Sequence, residues 1–315
     1  LRWAGVALPI GISFFTFQKI SYLVDLYRGK AAPAEGFGRY LLYVSLFPQL
    51  IAGPIVRYHD IAGQLTRRPV TLENFLAGMW RFALGLAKKC LLANTLAPLA
   101  DTAFETAPAG LGAGSAWLGL YAYAMQIYFD FSGYSDMAIG LGRMLGFRFL
   151  ENFDFPYIAR GMAEFWRRWH ISLGNFMREY LYIPLGGNRV RRGRRSFNLW
   201  LVFLLSGFWH GASWNFLVWG AWHGMWIVVD KRLASRRGGS APAAWLGVPA
   251  TFLLVLIGWV FFRAGNITMA FQYLGALAGL ANGPAPLAPP PPAIAAALAV
   301  ATLAAFAPLI PRWPL

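Results

Sequence analysis

Cysteine is almost absent from this chain. The single Cys90 excludes a disulfide framework and any zinc site built on thiolates. Charge is scarce too: Asp, Glu, Lys and Arg make up 13% of the 315 residues, against about 25% in a soluble domain. Acidic residues are the poorer half, 13 against 28 basic ones. That composition argues against a soluble globular enzyme. Disorder is excluded as well, because 25 Phe, 14 Trp and 13 Tyr demand burial. Several catalytic patterns are missing. There is no His-x-x-x-His metal pair, no Gly-x-Ser-x-Gly elbow and no Walker loop. The fifth position after His170 is Asn175, and after His210 it is Asn215, so the His/Asp spacing of soluble glycerolipid acyltransferases is absent. No metal site is expected.

What remains is strongly apolar. Hydrophobic residues reach 57%, the signature of an all-α polytopic membrane protein. The net charge of +15 then reads as basic loops beside a bilayer, and no nucleic acid is expected as a partner. The chain starts at Leu1 inside an apolar stretch, and an N-terminally incomplete fragment without a signal peptide is the expectation.

Apolar windows set the organisation. Trp3 to Gln18, Phe82 to Ala100 with Lys88 and Lys89 near one end, Trp117 to Leu145, Gly238 to Phe262 and Ala293 to Ile310 are span candidates. Tyr40 to Val56 is interrupted by Pro48, Gly53 and Pro54 and reads as re-entrant or irregular. Asp101 to Ser115 reads as a loop, and residues 281–292 as a proline-rich one. Ala163 to Tyr182 has helical periodicity, with Phe165, Trp169, Leu173, Phe176 and Tyr180 on one face; this reads as a basic interfacial helix. Phe197 to Val229 carries no charge over 33 residues and has basic flanks on both sides. A straight helix of that length would reach ~50 Å, against a hydrocarbon core of about 30 Å. The segment is therefore expected to turn within the membrane, at Gly207-Phe-Trp-His-Gly211. Six to eight embedded segments in one membrane domain, residues 1–315, follow from these windows.

Ionisable groups at membrane depth are costly and commonly functional. His210, between Trp209 and Gly211, is the most deeply placed histidine. His170 follows two tryptophans and two arginines on the periodic segment, and His223 lies in Trp222-His-Gly224. His59 beside Asp60 belongs to a polar loop. For each, a hydrogen bond between helices is the plain alternative. Asp130 and Asp136 are six apart, so they project from faces about 240° apart on a helix; a packing role beside a Ser, Tyr or Arg is favoured over a proton relay.

Four stretches then become familiar together: Asp130-Phe-Ser-Gly-Tyr-Ser-Asp-Met-Ala-Ile-Gly, Phe165-Trp-Arg-Arg-Trp-His-Ile-Ser-Leu, Tyr180-Leu-Tyr-Ile-Pro-Leu-Gly-Gly-Asn-Arg and Trp209-His-Gly-Ala-Ser-Trp. They resemble the membrane-bound O-acyltransferase (MBOAT) family, and among its branches the bacterial alginate O-acetylation type. The resemblance runs from about residue 9 to about residue 271. It implies a ring of tilted transmembrane and re-entrant helices around a thin centre with a tunnel. It implies His210 as the catalytic histidine and His170 as the second family position. The implied chemistry is transfer of an acetyl group from acetyl-CoA or a related thioester, with no bound cofactor. The implied setting is a multi-pass protein of the bacterial inner membrane, serving a periplasmic acetyl-carrying partner and a polysaccharide export complex. Related branches act on peptidoglycan or other glycans or move D-alanine to teichoic acid. A non-catalytic transporter or scaffold stays open beside these. Arg167, Arg168 and the Arg189–Arg195 run are candidates to attract an anionic donor, with loop topology or anionic lipid as the plainer explanation.

Overall fold

The computed structural model describes residues 11–50, 53–106, 110–236, 247–281 and 288–309. Among them there is no strand. The helices are α1 (Ile12–Tyr27), α2 (Phe37–Ser45), α3 (Tyr58–Thr66), α4 (Leu72–Ala87), α5 (Asn94–Glu105), α6 (Ala113–Met144), α7 (Met162–Arg168), α8 (Ile171–Met177), α9 (Arg192–His210), α10 (Trp214–Arg236), α11 (Gly247–Arg263), α12 (Ile267–Leu277) and α13 (Pro292–Phe306). Two π-helical stretches join them, Lys88–Ala93 between α4 and α5 and Arg178–Tyr182 after α8. The chain gathers into two compact units, residues 1–87, 131–152 and 171–176 in one, residues 88–130, 153–170 and 177–315 in the other.

The first unit is held by close helix approach and by satisfied polar groups. Tyr43, Tyr58, Ile61, Leu65, Phe147 and Phe149 are central to its core. Tyr43 donates its hydroxyl to the Val56 carbonyl at 3.0 Å, fixing the chain after α2. That chain is irregular, as the prolines required. Helix α2 stops at Ser45, Pro48 sits in a 3-10 turn, and a β-carbon at Gly53 would lie 2.5 Å from the Pro48 carbonyl oxygen. Side chains meet the freed backbone groups: buried Gln49 donates to the Tyr43 carbonyl, and Ser172 Oγ accepts from Ile55 N at 2.9 Å.

Helices α4 and α6 meet through paired glycines. Gly78 faces Gly140 and Gly85 faces Gly133, seven residues apart on both helices and running in opposite directions. A β-carbon on Gly78 would lie 2.6 Å from the Gly140 carbonyl oxygen, so only glycine permits this approach. Between the two pairs, Arg81 Nε donates to buried Asp136 at 2.8 Å, and its Nη2 reaches Glu151 at 2.6 Å. Asp130, by contrast, pairs with Lys89 at 2.5 Å in the second unit. The two aspartates thus take separate partners, as their spacing on one helix predicts.

In the second unit the charge-free run folds as anticipated. Helix α9 ends at His210 and α10 starts at Trp214. The hairpin is tight because Gly207 packs on the Phe216 carbonyl and Gly220 on the Phe203 carbonyl. Helix α13 presents Ala297, Ala301 and Ala305 as a buried small-residue stripe. Arg263 at the end of α11 pairs with Asp101 at 2.6 Å, and Tyr273 of α12 stacks on Phe104 at 4.3 Å.

Some expectations change. Lys88 and Lys89 stand in the middle of one helical run from Leu72 to Glu105, because the π-helical stretch lets the run continue past them. Asp101 is helical, not in a loop; the loop begins after Glu105. Ala163 to Tyr182 is broken at Trp169 and His170, and Phe165, Trp169, Leu173 and Phe176 are buried within protein rather than laid on an interface. Among the described residues, Pro292–Leu309 is the one helix long and apolar enough by length and hydropathy to cross a membrane, with Gly247–Arg263 and Ile267–Leu277 as shorter apolar helices. The expected six to eight segments do not emerge from that test, in part because apolar helices such as α11 and α12 are only 17 and 11 residues long. Trp3 to Ile10 and residues 238–246 of the predicted spans, and residues 282–287 of the proline-rich stretch, lie outside the described residues.

Candidate functional site

The site grows from the turn after α9. Gly211 takes an extended conformation, φ 172, that ends the helix directly after His210. Its charge-free part, Phe197 to His210, measures ~21 Å, short of the ~30 Å hydrocarbon core. The imidazole is partly buried and walled by aromatic rings. Trp209 lies 4.7 Å away between centroids, Phe262 5.1 Å, Trp219 5.2 Å and Phe216 6.2 Å.

His170 occupies the break between α7 and α8. It is 4% exposed and holds φ +46, a left-handed conformation unusual for a residue with a side chain. Backbone bonds on either side pin it there: Asp154 N donates to the Arg168 carbonyl, and Ile171 N to the Asn152 carbonyl, both at 2.9 Å. Such strain concentrates at functional positions. His170 and His210, forty positions apart in sequence, come within electrostatic reach of one another.

A third histidine joins them. His223 is fully buried on α10, and Trp166 of α7 donates its indole N–H to Nδ1 at 3.4 Å. The Trp219 ring lies 5.0 Å from His223 and 5.2 Å from His210, edge-on to both. Trp219 is therefore the shared wall between two imidazoles. Gly258 of α11 leaves the room His223 needs, since a β-carbon there would overlap its Nε2. The sequence placed His223 on this helix but not Trp166, Trp219 and Gly258 around it. Their signal was spacing alone: Trp219 precedes His223 by one helical turn.

The other candidates separate. His59 binds buried Asp25 through Nδ1 at 2.7 Å and fastens α3 to α1 in the first unit. Asn215 donates to the Ala264 carbonyl at 2.6 Å, a tie between α10 and the end of α11. Arg168 is committed to Glu164 at 2.9 Å and Asp154 at 2.8 Å, whereas Arg167 is exposed and has no ion-pair partner among the described residues.

Comparison with known proteins gives a consistent result. The family model of membrane-bound O-acyltransferases matches residues 35–261. The chain is 48% identical over 274 residues to a probable alginate O-acetylase AlgI of Azotobacter vinelandii, covering 86% of this chain and 54% of that protein. It is 50% identical over 274 residues to the protein of the same name from Pseudomonas fluorescens, covering 86% and 54%. A peptidoglycan O-acetyltransferase of Helicobacter pylori is 41% identical over 305 residues, covering 88% and 58%. The chain spans about half the length of the curated relatives it matches.

Proposed function

The chain belongs to the membrane-bound O-acyltransferase family, and from that premise we propose that it carries the catalytic region of an inner-membrane O-acetyltransferase acting in the modification of exported polysaccharide, alginate or a similar glycan. The observation that carries this reading is the position of His210 at the end of α9, partly buried and walled by Trp209, Phe216, Trp219 and Phe262. Identity of about half to the AlgI proteins supports the alginate type. The Helicobacter relative supports a second reading, in which the acceptor is a wall glycan.

The chemistry follows from the groups present. A hydroxyl attacks the carbonyl of an acetyl thioester while one nitrogen of His210 takes the hydroxyl proton. The carbon–sulfur bond then breaks, and the thiolate leaves with the proton returned by the imidazolium. An imidazole has an ordinary pKa near 6.5 and serves in both directions, an effect worth about 10²–10⁴-fold. His170, fixed by its strained backbone, orients His210 or the oxyanion. The aromatic walls exclude water that would otherwise hydrolyse the thioester. The donor is acetyl-CoA or a related carrier, approached by Arg167, and the recipient is a periplasmic transferase of a polysaccharide export complex.

The test is cellular. O-acetyl groups on exported polysaccharide are measured in strains carrying wild type, His210→Ala or His170→Ala at the native locus, at matched membrane abundance. Loss of acetylation with His210→Ala, and a partial or complete loss with His170→Ala, is the expected result. Wild-type acetylation with His210→Ala would overturn the catalytic role and favour a scaffold or transporter.

A further inference from the structure

Helix α7 enters the α9–α10 hairpin through one side chain. Trp166 lies edge-on to Phe203 of α9 at 5.0 Å between centroids, and to Trp219 and His223 of α10 at 5.6 Å and 5.1 Å. It is a wedge that touches both helices of the hairpin, and it precedes His170 by about one helical turn. Its indole N–H donates to His223 Nδ1 at 3.4 Å. An indole nitrogen donates only, so Nδ1 carries no proton and the neutral imidazole bears it on Nε2.

That second nitrogen is buried against Gly258 and has no partner among the described residues. A buried donor without an acceptor is costly. Phenylalanine would supply a ring in the same place without that cost. What phenylalanine lacks is the acceptor at Nδ1, so the bond to Trp166 explains this histidine and packing does not.

The rings around that bond also wall the proposed base. Trp219 is edge-on to Trp166, to His223 at 5.0 Å and to His210 at 5.2 Å. Phe262 of α11 lies 5.4 Å from Trp219 and 5.1 Å from His210. A second tie holds the other end of α7, where Ala163 N donates to Asp230 of α10 at 2.8 Å. Fastened at both points, α7 delivers its C-terminal end, and His170 beyond it, to one position against the hairpin. A shift of Trp166 is passed through Trp219 to the wall of His210.

We propose that His223 is a positioning residue for acetyl transfer: as the acceptor for the Trp166 indole it locks α7 into the α9–α10 hairpin, and so fixes the walls of His210 and the placement of His170. The proposal rests on His210 as the base. His223 touches no reacting atom in this scheme, and it acts through Trp166 and Trp219. Misplacement of a catalytic group by about 1 Å can cost about 10²-fold in rate, which is the scale on which such a lock operates.

The experiment uses the full-length protein, expressed from the native locus at matched membrane abundance. The rate of O-acetyl incorporation into exported polysaccharide is followed after a pulse of labelled acetate, and the purified proteins are melted in detergent. His223→Asn keeps an acceptor close to the place of Nδ1, whereas His223→Phe keeps a ring and Trp166→Phe removes the donor. His223→Phe and Trp166→Phe should each slow acetylation about tenfold. His223→Asn empties part of the ring's space and should melt below wild type, yet keep roughly half of the wild-type rate or more. Activity then follows the acceptor and not the melting temperature, an order that a merely structural role does not produce. The double variant Trp166→Phe/His223→Phe should be no slower than the slower single, because both changes remove one bond. Trp226→Phe makes the same indole-to-phenyl change on α10 at a nitrogen without a partner among the described residues, and should acetylate as wild type does. Wild-type rates in His223→Phe or Trp166→Phe, or a His223→Asn protein as slow as His223→Phe, overturn the proposal. If His223→Phe elutes aggregated, Trp166→Phe against Trp226→Phe decides, equal rates refuting the lock. Loss of acetylation in His210→Ala beside wild-type rates in both phenylalanine variants refutes the lock and leaves the catalytic reading standing; wild-type acetylation in His210→Ala removes both.

Discussion

Replacing Gly207 by alanine tests whether the α9–α10 hairpin positions His210, the proposed catalytic base. A β-carbon at Gly207 would overlap the Phe216 carbonyl oxygen, reach the Phe216 carbonyl carbon at 3.0 Å and the Gly220 Cα at 3.4 Å. All three obstructing atoms are backbone, so no side chain can swing aside. The helices must part by roughly 1 Å, and overpacking of that kind costs about 1–3 kcal/mol. His210 is three residues on, in the last turn of α9, and moves with it. Gly275 in α12 supplies the contrast, since a β-carbon there meets nothing within 4 Å. Alanine in such a helix position stabilises by about 0.5–1 kcal/mol. The assay is thermal unfolding of the full-length protein in detergent, read by fluorescence-detected size exclusion, with polysaccharide acetylation measured in parallel. Gly207→Ala should melt several degrees below wild type and lose acetylation; Gly275→Ala should melt at or above wild type and keep it. A Gly207→Ala protein as stable and as active as wild type would refute the close approach of the two helices.

Other expectations follow from the same contacts. Asp136→Asn leaves Arg81 with Glu151 alone in a glycine-lined seam, and should lower stability by about 1–3 kcal/mol in a denaturation titration. A double-mutant cycle on Lys89 and Asp130 should return less than 1 kcal/mol of coupling, because both side chains are more than a third exposed, 37% and 38%; a larger value would mean the pair is shielded from solvent. His170→Gly should be more stable than His170→Ala by roughly 1 kcal/mol, since glycine accepts φ +46 without strain, while both should lose acetylation. Equal stability of the two would show that the left-handed backbone relaxes on substitution.

The sequence disclosed the parts of this structure that depend on length, charge and local stereochemistry. A 33-residue uncharged run between basic flanks had to turn, and Gly207 to Gly211 marked the place. Pro48, Gly53 and Pro54 had to break the second apolar window, and they do. Two aspartates six apart on one helix had to find different partners. Periodicity failed where tertiary contacts override it. The aromatic stripe from Phe165 to Tyr180 reads as one surface helix, yet His170 reverses its backbone and the stripe is buried on both sides of the break. Lys88 and Lys89 look like a helix end, but a π-helical stretch absorbs them. At the site, His210 and His170 were visible through their motifs. The wall that Trp219 makes between His210 and His223, and the room left by Gly258, are long-range facts that no local pattern records.

The antiparallel hairpin of α9 and α10 also bears on how such a protein is made. Its two strongly basic ends emerge on the same side, and its tip carries Gly211, Ala212 and Ser213, small and uncharged. A chain that inserts this pair of helices together would carry His210 at its tip without hauling a charged loop across a bilayer. The insertion machinery has only to release the pair sideways, and the glycines that let the helices touch are already in register when it does.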